Sequence, residues 1–365
     1  MNENLLELLV CPSCRQKPQL ISFDLGTGSA VVGHNPAAER QVLSGVLTCQ
    51  CGQVFPIIGG VPRVLESGLR LFPDFVAEHK KDLAAICDAQ NIEAVRGENG
   101  QNDFDNIRKS FSQEWSIFDY DADKTWGWTL QERKEVFLGD VQFKPENLRG
   151  RRMLDAGCGN GTLTAALSDF GMEIVGLDLN DGLGRAYANR DKYAKNAAKL
   201  VQYIQGNIVN PPLREGAFDL IYSSGVIHHT PNSKDAFTSL VKLTKKGGRL
   251  YVWVYGKRSW PVRLFFRSGQ GLKHWMTLKS VMRVCRLLAP VYKVAADLLN
   301  GMGIMSFRRR NTREITLDLF DGFAPRFNHW HTEAEVRSWF EENDFQNIHV
   351  SGIQKHGFGM YGDKC

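Results

Sequence analysis

The stretch Arg152-Met153-Leu154-Asp155-Ala156-Gly157-Cys158-Gly159-Asn160-Gly161-Thr162 decides the fold. A run that suits a buried strand enters three alternate glycines, and the helix-compatible sequence TLTAALSDF follows from Thr162. Strand, glycine turn and helix make the opening unit of a doubly wound α/β domain. The glycines let backbone approach a ligand where a Cβ would collide. The helix start then aims unpaired N–H groups and a partial positive charge at that ligand. A second strand is expected over residues 172–177, ending at Asp178. An acid there can accept both hydroxyls of a ribose, each charge-assisted bond contributing roughly 1.5–3 kcal/mol.

The turn discriminates among nucleotide ligands. A nicotinamide fold uses G-x-G-x-x-G, which seats a pyrophosphate over the helix. Here the order is Gly157-x-Gly159-x-Gly161 with Asp155 beside it. An acid so placed suits a cationic group better than a diphosphate, and S-adenosylmethionine offers an α-ammonium and no phosphate. Further along, Gly206-Asn207-Ile208 closes a third strand and can address an adenine edge. The run FDLIYSSGVI (218–227) makes a fourth strand and ends at His228-His229-Thr230-Pro231. An amphipathic helix near 234–243 and the turn and strand KKGGRLYVWVYG come next.

LDAGCGNGT, GLDLND, GNIVNPP, FDLIYSSGVIHHTPN and LTKKGGRLYVWVYG, in this order, resemble the motifs of class I S-adenosylmethionine-dependent methyltransferases. Within that class the chain is similar to the small-molecule and tRNA-acting branch with a V-[IL]-H-H motif. The resemblance implies a Rossmann-like sheet. It also implies that Asp155, Gly157, Gly159, Asn160 and Gly161 hold the methionine part and that Asp178 holds the ribose. The third position, usually acidic, faces adenine and is here Asn207; Leu179, Ile208 and Ser223 complete the expected cofactor set. A strand end over the cleft is where an acceptor hydroxyl would arrive. A histidine of near-neutral pKa there could take its proton, an effect of about 10²–10⁴ in rate. His228 is the first choice and His229 the second, against the alternative that the pair packs or orients a loop. Asp155 can likewise be read as a turn-stabilising carboxylate, and Cys158 as a small filler.

At the front of the chain, Cys11-x-x-Cys14 forms a knuckle, and Cys49 and Cys51 supply a second pair with one spacer residue instead of two. Four thiolates at about 2.3 Å satisfy tetrahedral zinc and leave no open position, so the metal would be structural. Disulfides are the alternative, disfavoured in a reducing compartment. LLELLVCPSC and LTCQCGQVFPIIGGVP resemble the zinc-ribbon family typified by the small activator subunit of tRNA and protein methyltransferases.

Hydrophobic residues at 43% and charged residues at 23% exclude a disordered chain. No apolar run reaches the roughly 18 residues of a membrane span, and MNENLLELLV lacks the marks of a secretory signal. A cytoplasmic protein, peripheral to the membrane at most, is expected. Residues 257–313 hold thirteen Lys or Arg and one acid, giving +12 on a chain of net +5. That asymmetry points to an anionic partner: RNA, a lipid surface or a phosphorylated substrate.

The expected layout is a ribbon over 1–68, a helical aromatic cap over 69–146, a Rossmann-like domain over 147–256, a basic helical insert over 257–325 and a completing helix and strands over 326–365. Trp115, Trp126 and Trp128 make the cap either a packing element or a lid. The expected function is methyl transfer to a nucleophilic atom, oxygen first, of a small or lipid-linked metabolite. The alternatives are a tRNA methyltransferase and a non-catalytic scaffold.

Overall fold

From Arg152 onward, short strands buried on both faces alternate with helices, which is what a parallel sheet covered on both sides requires. The computed structural model describes residues 1–27, 40–86, 104, 107–112, 128–194, 197–257, 276–302, 311–354 and 356–365. The ribbon strands are β1 (Gln19–Thr27), β2 (Arg40–Thr48), β3 (Val54–Ile58) and β4 (Val61–Pro62), an antiparallel sheet in that order. Gly59 and Gly60, both at positive φ, turn β3 into β4.

The large sheet comprises β5 (Arg152–Ala156), β6 (Glu173–Asp178), β7 (Val201–Gln205), β8 (Phe218–Ser224), β9 (Thr244–Tyr255), β10 (Phe345–Gln354) and β11 (Gly357–Lys364). Its order is β10-β11-β9-β8-β5-β6-β7, with β11 antiparallel to both neighbours and β5 to β9 mutually parallel where they pair. Strand order reverses between β5 and β8. In open α/β sheets, ligands bind outside the carboxyl ends of the strands at such a reversal.

One face of the sheet is covered by helices Ser233–Leu243 and Glu333–Glu341, through Phe237, Leu240, Val336, Trp339 and Phe340. Each large side chain buried in this way contributes roughly 1.5–3 kcal/mol. The last helix starts at a capping box formed by Thr332 and Glu335. Helix Leu130–Val141 packs Phe137 and Val141 on the other face.

The ribbon shares the main core, since Leu5, Leu9, Phe55 and Val64 join one cluster with Leu154, Leu177 and Ile204. Backbone joins the two as well: Val10 N donates to Pro212 O, Arg214 N to Leu8 O and Val64 N to Gln205 O.

Residues 73–84 form two short helices, Pro73–Glu78 and Lys80–Ala84, divided at His79. The His79 ring lies between Phe23 and Phe75 and bonds Ser44 Oγ at 2.9 Å, a tertiary contact that outweighs local periodicity. Helix Leu278–Gly301 is a single helical element with Pro290 inside it. Before Pro290, the helix packs Val281, Met282, Cys285 and Ala289 on Ile315, Leu319 and Phe320 of helix Thr312–Phe323. The aromatic cap around Trp115 and Trp126, and the cluster Arg308-Arg309-Arg310, lie outside the described residues.

Candidate active site

The β6 side of the mouth is held by backbone. Asp178, at the end of β6, accepts from Gly159 N at 2.7 Å and from Asn180 N at 2.9 Å, and the Asn180 amide donates back to Gly159 O. The glycine turn and the second-strand acid are thus one unit. A carboxylate offers about four lone-pair sites, so two remain for hydroxyls. Burial pushes the Asp178 carboxyl above its ordinary range, while the N–H donors oppose that shift.

Protein, not ligand, fills the space beside two of the glycines. A Cβ on Gly157 (φ +95°) would lie 2.1 Å from Val226 Cγ2, and one on Gly161 (φ +75°) would lie 2.7 Å from the Tyr203 ring. An alanine at either position would be strained by about 1–3 kcal/mol before any clash.

The other expected cofactor residues are placed as follows. Asp155 is buried and accepts from Thr164 Oγ1 at 2.6 Å; burial pushes its carboxyl up to about 6. Asn160 Oδ1 accepts from Thr162 N at 3.1 Å, an Asx turn that leads into the following helix, whose N-cap position is Gly161. Leu179 O accepts from Gln205 Nε2. Asn207 Oδ1 folds back to accept from Val209 N at 2.9 Å, an Asx turn that leaves its NH₂ as the outward donor. Ile208 packs against the main core. The Ser223 hydroxyl is fully buried and donates to Ala156 O at 3.0 Å, which joins β8 to β5 at the order reversal and turns the group away from the mouth.

The β8 side is built of side chains. His228 and His229 sit on a 3-10 turn, Ile227–His229, directly after β8. His228 is completely buried, its ring 4.1 Å from Tyr255 and 4.2 Å from His229, and neither ring nitrogen has a hydrogen-bond partner among the described residues. Burial drives its pKa well below 6.5. His229 Nδ1 lies 3.0 Å from Phe327 O, a pure acceptor, so Nδ1 carries the proton and Nε2 the lone pair. Asp321 Oδ1 lies 3.8 Å from that Nε2, and Tyr255 OH donates to Asp321 Oδ2. Burial lowers the His229 pKa, and the Asp321 charge opposes the fall.

His329 and His331 are packing residues beside the turn. His329 bonds the His228 and Thr230 carbonyls through its backbone and ring, and His331 bonds Glu335 and Ser233.

Sequence reading missed Asp321, Tyr255 and Phe327. Asp321 and Phe327 belong to segments without a motif, while Tyr255 stands inside the quoted run LTKKGGRLYVWVYG, and only the packing of helix Thr312–Phe323 brings Asp321 to the turn. The segment over 69–146, expected to be a packing element or a lid, supplies a strap at the crevice. In residues 107–112, Arg108 pairs with Asp181 at 2.7 Å, Ser110 Oγ donates to Ala324 O at 3.2 Å, and the Phe111 ring is 5.4 Å from His229. This piece therefore touches both sides of the mouth. A buried arginine of the ribbon reaches the site's edge too: Arg63 Nη1 donates to Gln205 Oε1, and the same amide donates to Leu179 O and Asp181 Oδ1.

In the ribbon, the sulfurs of Cys11, Cys14, Cys49 and Cys51 lie within 4.8 Å of one another. Tetrahedral zinc with bonds of about 2.3 Å spaces its sulfurs close to 3.8 Å, so the four thiolates fit the ion.

Residues 154–252 match the family described as methyltransferase domain, and residues 2–60 match that described as Trm112p-like protein. The chain is 27% identical over 115 residues to a ubiquinone biosynthesis O-methyltransferase of Pectobacterium atrosepticum, covering 31% of this chain and 46% of that one. It is 30% identical over 229 residues to phosphoethanolamine N-methyltransferase 2 of Caenorhabditis elegans, covering 59% and 45%. The chain thus spans less than half the length of these relatives. A solved magnesium protoporphyrin IX methyltransferase from Synechocystis aligns over 74% of this chain and 100% of its own, at 14% identity and a TM-score of 0.45. Among the described residues, no helix is long and apolar enough to cross a membrane. The chain joins a Trm112p-like domain to a methyltransferase domain.

Proposed function

We propose that this protein transfers a methyl group from S-adenosylmethionine to a nucleophilic oxygen of a small or lipid-linked metabolite. The observation that carries the reading is the pairing of Asp178 with Gly159 on one side of the strand-order reversal and the buried histidine turn on the other. When bound, the cofactor supplies an electrophilic methyl on a sulfonium. Asp178 would take the ribose hydroxyls on its two remaining lone-pair sites, and the Asn207 NH₂ would face the adenine. Asp155, beside the turn, would offset the ammonium of the amino-acid tail, whose positive charge would favour its ionised form. The two relatives, named for O- and N-methyl transfer, support the reaction class and leave the acceptor atom to experiment.

We assign the general base to His229 rather than to His228, the first choice from sequence. The Phe327 carbonyl fixes the tautomer that leaves the Nε2 lone pair available, and Asp321 stands where it would stabilise the imidazolium formed on proton uptake. Tyr255 holds Asp321 in place. The strap over residues 107–112 would keep water out while the acceptor is held in line, alignment that can contribute about 7–11 kcal/mol of the barrier. Cys11, Cys14, Cys49 and Cys51 would hold one structural zinc. Metal analysis should find close to one equivalent, and a metal-free folded protein would defeat that part.

The direct test incubates pure protein with methyl-labelled cofactor and fractionated cell extract. Label in soluble metabolites or lipid bears out the proposal. Label confined to RNA would transfer it to tRNA methylation, and no labelled product together with no cofactor binding would defeat it.

A further inference from the structure

Helix Leu278–Gly301 is amphipathic twice over, and among the described residues only one of its apolar faces is covered. The buried face, from Val281 to Ala289, lies on helix Thr312–Phe323. Beyond Ala289 no residue of the helix is buried. Leu287 (75% exposed), Val291 (67%), Val294 (60%), Leu298 (59%) and Met302 (61%) stand in water. Their spacing of four, three, four and four residues sets them in one stripe along the helix. Among the described residues, the other exposed large apolar side chains outside this helix and its end are three on the ribbon sheet, Ile21, Leu25 and Leu43.

Charge selects the occupant. Lys279, Arg283 and Arg286 are exposed on this helix, its single acid Asp297 is taken by Lys293 at 2.6 Å, and residues 257–313 sum to +12. A second copy would set two such positive surfaces against each other. RNA would answer the charge but leave an aliphatic stripe in water, where single-strand binders place aromatic side chains for bases to stack on. A bilayer with anionic headgroups answers both features at once. The helix is not apolar enough to span one, so it would lie along the surface.

We propose that helix Leu278–Gly301 seats the protein on an anionic membrane surface, with the Leu287–Met302 stripe in the headgroup boundary and the arginines at its border. The seat is one helix away from Asp321, so an acceptor carried in the membrane would reach the histidine turn from that side. The proposal does not rest on the methyl-transfer reading, and the two fail separately.

The test is flotation of the full chain with vesicles of phosphatidylcholine alone or with about 30% phosphatidylglycerol, an anionic content that makes the surface attractive to basic side chains. Binding should be confined to the anionic vesicles and should fall as salt is raised. Val291→Glu with Leu298→Glu, both at exposed positions, should cut it about tenfold or more while the thermal midpoint holds. Arg283→Ala with Arg286→Ala should weaken it through charge alone. Equal binding to both vesicles, unchanged binding by the glutamate variant, or no flotation would overturn the proposal. So would bulk tRNA binding that is independent of the stripe, or a dimer that the glutamate variant dissolves.

Discussion

On the β6 side of the mouth, the proposed cofactor surface is made by backbone and one carboxylate, drawn from Gly157 to Asn180. On the β8 side it is made by the side chains of Phe111, His229, Tyr255 and Asp321, with the backbone carbonyl of Phe327, all from separate segments. The first side depends on turns that local sequence dictates. The second depends on a helix nearly a hundred residues downstream being docked correctly. A site divided in this way can keep one cofactor while its acceptor side is rebuilt, because the two halves answer to different parts of the chain.

The sharpest way to break this division is His229→Ala. Turnover should fall by about 10²–10⁴, the usual contribution of a positioned base, with cofactor affinity unchanged. Calorimetry with the cofactor, run beside single-turnover rates, separates the two quantities; a joint loss would mean the halves are coupled. Asp178→Ala should do the reverse, weakening cofactor affinity by about a hundredfold through two lost charge-assisted bonds. Affinity equal to the parent would remove the ribose assignment.

Asp321→Asn should act more gently, reducing turnover about tenfold, as expected when a base loses its orienting charge but keeps its geometry. Its distinctive mark is in the pH profile. The His229 pKa already lies below 6.5, and Asp321 holds it up, so the acid limb of the rate should move to lower pH in the variant. A limb that stays put would make Asp321 a packing residue.

Asp140 offers a control behind both halves. It is buried on helix Leu130–Val141, accepts from Tyr222 OH at 2.9 Å, and is pushed up to about 6 by burial. A carboxyl with a folded pKa above its ordinary 3.8 favours the folded state below that value. The advantage is lost as pH rises through 6. Asp140→Asn should therefore stabilise the protein by about 1–3 kcal/mol above pH 6, and by little below pH 4. Denaturant melts at the two ends would show it, with cofactor affinity unchanged.

The legibility of the sequence follows the same division. Gly157-x-Gly159-x-Gly161 and Asp178 could be read because a turn and a strand end are local. That Val226 and Tyr203 are the neighbours demanding two of those glycines could not be read, since Tyr203 comes from β7 and Val226 from the turn after β8. Ser223 looked like a lining residue because strand alternation gives a side chain its face but not its hydrogen bond. The histidine pair was visible as chemistry, but the choice between its members rests on the Phe327 carbonyl, which no motif marks. The ribbon's cysteines were legible by spacing. Its attachment was not, because Arg63 and Gln205 carry no pattern.

That attachment has a consequence for handling the protein. β7 is the outermost strand of the large sheet; the ribbon meets it through the Arg63–Gln205 bridge and the Asn2–Gln202 bond, and meets the segment after it through the Leu9–Leu213 bridge. An uncovered outer strand offers a row of amides and carbonyls to any passing chain. Cutting away the first 65 residues would bare that row together with the apolar side chains beneath it, and the remainder should clump by strand addition instead of persisting as a smaller enzyme.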